Sequence, residues 1–303
     1  MSDLQANELL PTFIGIGAPK TATTFLDQCL KEHPEIFMPL SKEPHFFGSA
    51  YHHGVNEYLR FFEGAERYNC RGEISTSYFH HPAAAGRIKD LIPNAKIILS
   101  VRNPVEQVYS LYWQSKRHNF YQSVENDINL TFSQALNKYP ERLLEPARYH
   151  THLKRWLELF PNEQVYILFY DDVKVDPKKA LSGVYKFLGV SVDQGLANLQ
   201  SSNRTVLGGI QPRNALIGKL YGFVYMVLNK YGFSLLKKSI GYKRTLWIKD
   251  RLRIRTILGA VFFRRGYPKI SQQDKAKVLE LFLAEIEGLE HLTGRDLSSW
   301  KSV

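Results

Sequence analysis

Thr12-Phe13-Ile14-Gly15-Ile16-Gly17 is a short apolar run closed by glycine, and Ala18-Pro19-Lys20-Thr21-Ala22-Thr23-Thr24 follows it as a small, polar loop. Phe25-Leu26-Asp27-Gln28-Cys29-Leu30 then places apolar residues at helical spacing. The reading is strand, tight loop, helix. A loop that leaves a strand and opens a helix presents several unpaired backbone N–H groups at the positive helix end, which is a binding site for an anion. Lys20 adds a full positive charge there, the Thr21 to Thr24 amides converge on the same point, and the Thr23 and Thr24 hydroxyls add donors. A capped helix start with no ligand is the plainer alternative.

The same unit recurs along the chain. A helical stretch from Ala83 to Leu91 leads through Pro93-Asn94 into Lys96-Ile97-Ile98-Leu99-Ser100-Val101, then Arg102-Asn103-Pro104 and a second helix from Val105 to about Lys116. Gln164 to Tyr170 reads as a third strand between helices at His150 to Leu159 and Pro177 to Leu188, and a last helix is expected from Gln272 to about Leu292. Strands alternating with helices predict an α/β fold, a central and mostly parallel sheet flanked by helices. With no internal repeat and no long linker, the expectation is one domain over residues 1–303 with a basic, helical elaboration at about 204–265.

Charge distribution sharpens this. The 303 residues carry a net charge of +11. Arg204 to Lys269 holds fifteen Lys or Arg and one acid, Asp250, a local net of +14, so the remainder of the chain is slightly acidic. A single basic segment points to a local anionic partner: a polyanionic substrate, an anionic membrane surface or nucleic acid. Hydrophobic residues make up 44% and charged residues 23%, the usage of a folded globular chain and not of a disordered or coiled-coil one. The opening MSDLQANELLPT lacks the features of a secretory signal, no apolar run reaches membrane-spanning length, and Cys29 and Cys70 form no disulfide or metal pattern. These features predict a cytoplasmic protein. The His52-His53 and His80-His81 pairs read as non-metal, because sequence neighbours point apart on a strand and no Cys or acid has suitable spacing.

Ala18-Pro19-Lys20-Thr21-Ala22-Thr23-Thr24-Phe25-Leu26 resembles the 5'-phosphosulfate loop of sulfotransferases that use 3'-phosphoadenosine 5'-phosphosulfate (PAPS). Lys42-Glu43-Pro44-His45-Phe46-Phe47 is similar to the segment with the catalytic carboxylate in heparan-sulfate N- and 3-O-sulfotransferases, and Gly72-Glu73-Ile74-Ser75-Thr76-Ser77-Tyr78-Phe79 to the next active-site strand. Ser100-Val101-Arg102-Asn103-Pro104 with Ser110 resembles the 3'-phosphate motif, in which the Arg and the Ser grip the cofactor. Tyr149 to Pro161, Phe169 to Val173 and Arg295 to Trp300 resemble bacterial members.

The resemblance implies a P-loop-like phosphosulfate loop, PAPS as cofactor with no metal, and in-line sulfuryl transfer to a hydroxyl or amine of a saccharide, glycolipid or other metabolite at the inner membrane face. It implies Glu43 as the base, with His45 as rival because histidine serves the cytosolic small-molecule enzymes. Residues two apart in an extended segment face the same side, so both would line the pocket. Arg264, Arg265, Gly266 and Tyr267 stand where the heparan type carries a loop over the adenosine phosphates.

There are departures. Ala22 stands where many members have Gly, which is tolerable if the backbone there avoids positive φ. Ile74 replaces a Lys of the heparan enzymes, so the acceptor stays open. Two other readings compete. A nucleotide-dependent kinase would need Gly-Lys-Ser/Thr and an Asp closing the second strand, and the chain has neither. A basic membrane- or nucleic-acid-binding module would rest on 204–269, with nucleic acid the less favoured partner. For Arg102, a cation at a helix start is unfavourable without an anion, which points to phosphate. Glu73 is either a catalyst or a buried partner for Lys20 or Arg102.

Overall fold

A computed structural model describes residues 9–117, 120, 124, 130–199, 210–212 and 263–302. Five strands, β1 (Phe13–Gly17), β2 (Ile36–Phe37), β3 (Cys70–Ile74), β4 (Lys96–Val101) and β5 (Val165–Phe169), form one sheet in the order β2-β3-β1-β4-β5. Every pairing in it is parallel. The α-helices among the described residues are, in chain order, α1 (Thr23–Lys31), α2 (Val55–Leu59), α3 (Ala84–Leu91), α4 (Pro104–Arg117), α5 (Phe132–Lys138), α6 (Pro140–Leu144), α7 (Tyr149–Leu157), α8 (Tyr170–Val175), α9 (Pro177–Leu188), α10 (Val192–Leu199) and α11 (Gln272–Thr293). The expected α/β architecture with a central parallel sheet is the observed one.

Local chemistry sets the element ends. Asp176 caps α9 by accepting from the Lys179 amide at 3.0 Å, Pro177 occupies its first turn, and Gly189 closes it at φ 82. Ser271 caps α11 on the Asp274 amide at 3.0 Å. The central strand β1 is buried throughout. On one sheet face Ile98 and Leu168 pack with Phe25, Leu26 and Leu30 of α1 and with Leu181, Val184 and Tyr185 of α9. Ile97 and Leu99, which alternate to the other face, are fully buried too. Burial on both faces is why β1 and β4 read as continuous apolar runs.

The chain groups into two compact units, residues 1–112, 131–207 and 270–303 in the first and 113–130 and 208–269 in the second. The sheet belongs to the first. In the second, β6 (Ile210–Pro212) pairs antiparallel with β7 (Phe263–Arg265). The rest of the basic elaboration at 204–265 lies outside the described residues.

Candidate active site

Parallel strands deliver their C-terminal ends to one edge of the sheet, and in such sheets ligands bind beyond that edge. There β1 runs into residues 18–22, β3 into Ser75-Thr76-Ser77 and β4 into Arg102. Gly17 makes the first turn feasible: at φ 139, a Cβ there would lie 2.7 Å from the Thr76 carbonyl.

The loop after β1 is tied down from several sides. The Ala18 amide donates to Ser100 O at 2.9 Å, the Thr21 hydroxyl donates to Ala18 O at 2.7 Å, and the Ser100 hydroxyl donates to Thr21 O. The Thr21 hydroxyl is therefore spent inside the loop, and what it offers a ligand is its amide. Lys20 and Ala22 adopt left-handed backbone, φ 69 and φ 71. The condition that would make alanine easily tolerated at 22, a backbone off positive φ, is not met: the turn into α1 takes αL, and the alanine adopts it despite its Cβ. Helix α1 has no side-chain cap and no acid in its first turn. The plainer alternative, a capped helix start, does not hold.

Glu43 and His45 lie side by side, with His45 Nε2 at 3.4 Å from Glu43 Oε2. Their proximity is as expected but its cause is not, because both are left-handed, φ 61 and φ 55, and not extended. Thr76 donates its hydroxyl to Glu43 Oε2 at 3.3 Å, and Ser77 Oγ stands 3.1 Å from His45 Nδ1. Lys42, given no role by the sequence reading, sits between this pair and α1: its Nζ is 3.3 Å from Glu43 Oε1 and donates to Thr24 Oγ1 at 3.1 Å and Thr23 Oγ1 at 3.5 Å. The loop hydroxyls, a cation and the carboxylate candidate thus form one constellation.

Arg102 opens toward the same loop. Its Nη1 donates to Lys20 O at 3.3 Å, its guanidinium lies 4.3 Å from the Tyr170 ring centre, and its amide donates to Tyr149 Oη at 3.1 Å. Glu106 accepts from Nη2 at 2.6 Å and from Nε at 3.0 Å. The helix-start mismatch that pointed to phosphate is therefore met inside the chain by a carboxylate four residues on. That Arg-x-x-x-Glu spacing was a readable signal. Ser110, four residues beyond Glu106 on α4, is buried.

Arg264, Arg265, Gly266 and Tyr267 belong to the second unit. Gly266 is at φ 86, and the Tyr267 ring stacks on Trp113 with centres 5.6 Å apart and planes 8° from parallel. The Arg264 and Arg265 side chains lie outside the described residues. No group of three or more His, Cys, Asp or Glu is placed to hold a metal among the described residues, and no described helix is long and apolar enough to cross a membrane.

The family model described as the sulfotransferase domain matches residues 10–205. The chain belongs to that family. Among curated proteins, the chain is 33% identical over 198 residues to the mouse (Mus musculus) "Bifunctional heparan sulfate N-deacetylase/N-sulfotransferase 4", a match covering 60% of this chain and 22% of that protein. It is 27% identical over 274 residues to the Drosophila melanogaster bifunctional heparan sulfate N-deacetylase/N-sulfotransferase, covering 79% of this chain and 26% of that one. The chain thus spans about a quarter or less of the length of these relatives. A crystal structure of a sulfotransferase from Alicyclobacillus acidocaldarius superposes with a TM-score of 0.64 at 24% identity, over 97% of this chain and 99% of that one, a likeness of fold.

The donor set at this loop fits the phosphosulfate end of PAPS. An uncapped helix start with no first-turn acid, a lysine in the loop and threonine hydroxyls already bonded to a second lysine make a site for a compact anion.

Proposed function

We propose that the chain transfers a sulfuryl group from PAPS to a hydroxyl or amine of a saccharide, glycolipid or other metabolite. The observation that carries this reading is an anion cradle beside a base: the uncapped start of α1 with Lys20, joined through Lys42 to Glu43 and His45. The heparan sulfate N-sulfotransferase names of the relatives bring saccharide amines forward as acceptors.

PAPS, when bound, supplies the activated sulfuryl group and a phosphate leaving group. Lys20 and the Thr21 to Thr24 amides stabilise negative charge as it develops at that phosphate, and because they are fixed before reaction they need little reorganisation. Lys42 adds a cation on the Thr23 and Thr24 side of the loop. Glu43 takes the acceptor's proton as the acceptor attacks, with Thr76 and His45 orienting its Oε2. Arg102 and Ser110 hold the 3'-phosphate, Arg102 exchanging Glu106 for the ligand. The reaction uses no metal. The 204–269 segment, net +14, serves a cytoplasmic enzyme as a peripheral contact with anionic membrane.

Calorimetric titration with adenosine 3',5'-bisphosphate in EDTA tests the cofactor assignment. Binding is expected there, and recovery only on adding magnesium would overturn the metal-free reading. Transfer of label from PAPS to a panel of saccharide and lipid-linked acceptors tests the reaction. Salt-dependent sedimentation with anionic vesicles, but not with neutral vesicles or DNA, tests the membrane contact.

A further inference from the structure

Glu73, on β3, is 1% exposed, and of its two carboxyl oxygens Oε1 has no hydrogen-bond partner. Its Oε2 accepts from the Ser75 hydroxyl at 2.8 Å, and Ser75 Oγ in turn accepts the His45 amide at 3.0 Å. The Tyr78 hydroxyl, which also faces Glu73, accepts the Phe47 amide at 3.3 Å. One buried carboxyl therefore reaches, through the Ser75 hydroxyl, the amide of His45, two residues after Glu43. The Glu43 to His45 segment needs holding: Glu43 and His45 both lie in the left-handed region that side chains bearing a Cβ avoid.

We propose that Glu73 is a positioning residue: its carboxyl holds the Ser75 hydroxyl, through it the His45 amide, and so fixes the left-handed backbone that sets Glu43 beside His45. The inference rests on the sulfotransferase reading only for the meaning of that pair.

The groups that face Glu73 are the Tyr58 and Tyr78 phenols, the Ser75 hydroxyl and the Glu43 and Asp27 carboxyls. Burial pushes the Glu73 carboxyl up to about 8, and the Glu43 and Asp27 charges push in the same direction. It holds its proton at neutral pH, so a glutamine replaces it in both shape and charge. As pH rises from the ordinary carboxyl value of 4.5 toward 8, the unfolded chain gives up this proton before the folded one does. The stability due to the protonated form is complete below 4.5 and is lost as pH rises through about 8.

The test compares Glu73→Gln, Glu73→Ala and Ser75→Ala with the unsubstituted chain. Glu73→Ala and Ser75→Ala are expected to lower kcat about tenfold or more, the scale of a small misplacement of catalytic groups, while affinity for adenosine 3',5'-bisphosphate stays within about twofold. Glu73→Gln should restore kcat at pH 7, and its Tm should rise relative to that of the unsubstituted chain as pH goes from 5 to 8. A glutamine variant as slow as the alanine variant, or Tm curves that run parallel, would overturn the proposal. If the Glu73 variants do not fold, an unchanged kcat in Ser75→Ala overturns it and a loss at intact bisphosphate affinity supports it. Failure of the unsubstituted chain to bind the bisphosphate at all would count against the cofactor reading, and the Tm comparison would still decide the state of Glu73.

Discussion

The side-chain amide of Gln107 donates to the carbonyl of Pro19 at 2.9 Å, binding the first turn of α4 to the loop after β1 across 88 residues of sequence. The same amide donates to Pro146 O at 3.1 Å, and its oxygen accepts from the Tyr149 hydroxyl that also receives the Arg102 amide. One fully buried side chain thus sets the distance between the loop that carries Lys20 and the turn that carries Arg102.

Gln107→Leu keeps the volume and strands those buried polar partners. The expected loss of stability is about 2–4 kcal/mol, the consequence of leaving more than one buried group unpaired. Urea unfolding measures it, and calorimetry should show weaker bisphosphate binding in the same variant because the Lys20 and Arg102 backbones are no longer held in register. Unchanged stability and affinity would show that α4 and the loop are positioned without this link.

Arg102→Ala is expected to weaken bisphosphate binding by about 1.5–3 kcal/mol, the range for a hydrogen bond to a charged group. Glu106→Gln should act the other way. The Arg102–Glu106 pair has Glu106 half exposed, so breaking it costs the ligand no more than about 1 kcal/mol, and its removal should tighten binding up to about fivefold. Calorimetry on both variants separates the roles: if Glu106→Gln weakens binding, Glu106 orients Arg102 for the ligand and does not compete with it.

Much of this arrangement was legible in the sequence, for reasons that differ by residue. Strands β1 and β4 announce themselves because a parallel strand buried on both faces is an apolar run, and β5, at the sheet edge, because Val165 to Phe169 are all apolar or aromatic. Strand β3 does not, because Cys70-Arg71-Gly72-Glu73-Ile74 places Arg, Gly and a buried acid inside a strand, and only the family resemblance identified it. Strand β2 has two residues, too few for any period, and α5, α8 and α10 are short helices whose spacing is blurred by polar residues. At the site, Lys20 and Arg102 follow from their places after strands. The left-handed backbone at Glu43 and His45 has no signature in Lys42-Glu43-Pro44-His45, so the sequence brought the two together through the wrong geometry. Ser75 and Ser77 are small polar residues of the commonest kind, and only the fold shows that each receives or supplies a hydrogen bond to His45.

The division of labour between Glu43 and His45 is open to kinetics. Glu43→Gln should leave bisphosphate affinity nearly intact and lower turnover about 100-fold or more, since the amide keeps the shape and one acceptor but has too little basicity to take a proton. His45→Ala should cost less, because it removes a neighbour at 3.4 Å and not the base. Steady-state rates on a true acceptor decide it: full turnover in Glu43→Gln with none in His45→Ala would move the base to His45 and leave the cofactor residues unaffected.

Ala22→Gly is expected to stabilise the fold. Alanine at φ 71, ψ 17 sits in the left-handed region, where the Cβ crowds the carbonyl at roughly 1–2 kcal/mol, and glycine removes that Cβ. Against this, glycine has more freedom to lose on folding, roughly 0.5–1 kcal/mol, and the Ala22 methyl gives up some contact with the core face of α1. The strain is the larger quantity, so the net gain should be about 0.5–1 kcal/mol. Equilibrium urea unfolding would show a higher midpoint at unchanged slope. A lower midpoint would mean that the methyl's packing outweighs the backbone strain, and that this chain keeps alanine at the turn for the contact it makes with the core beneath α1.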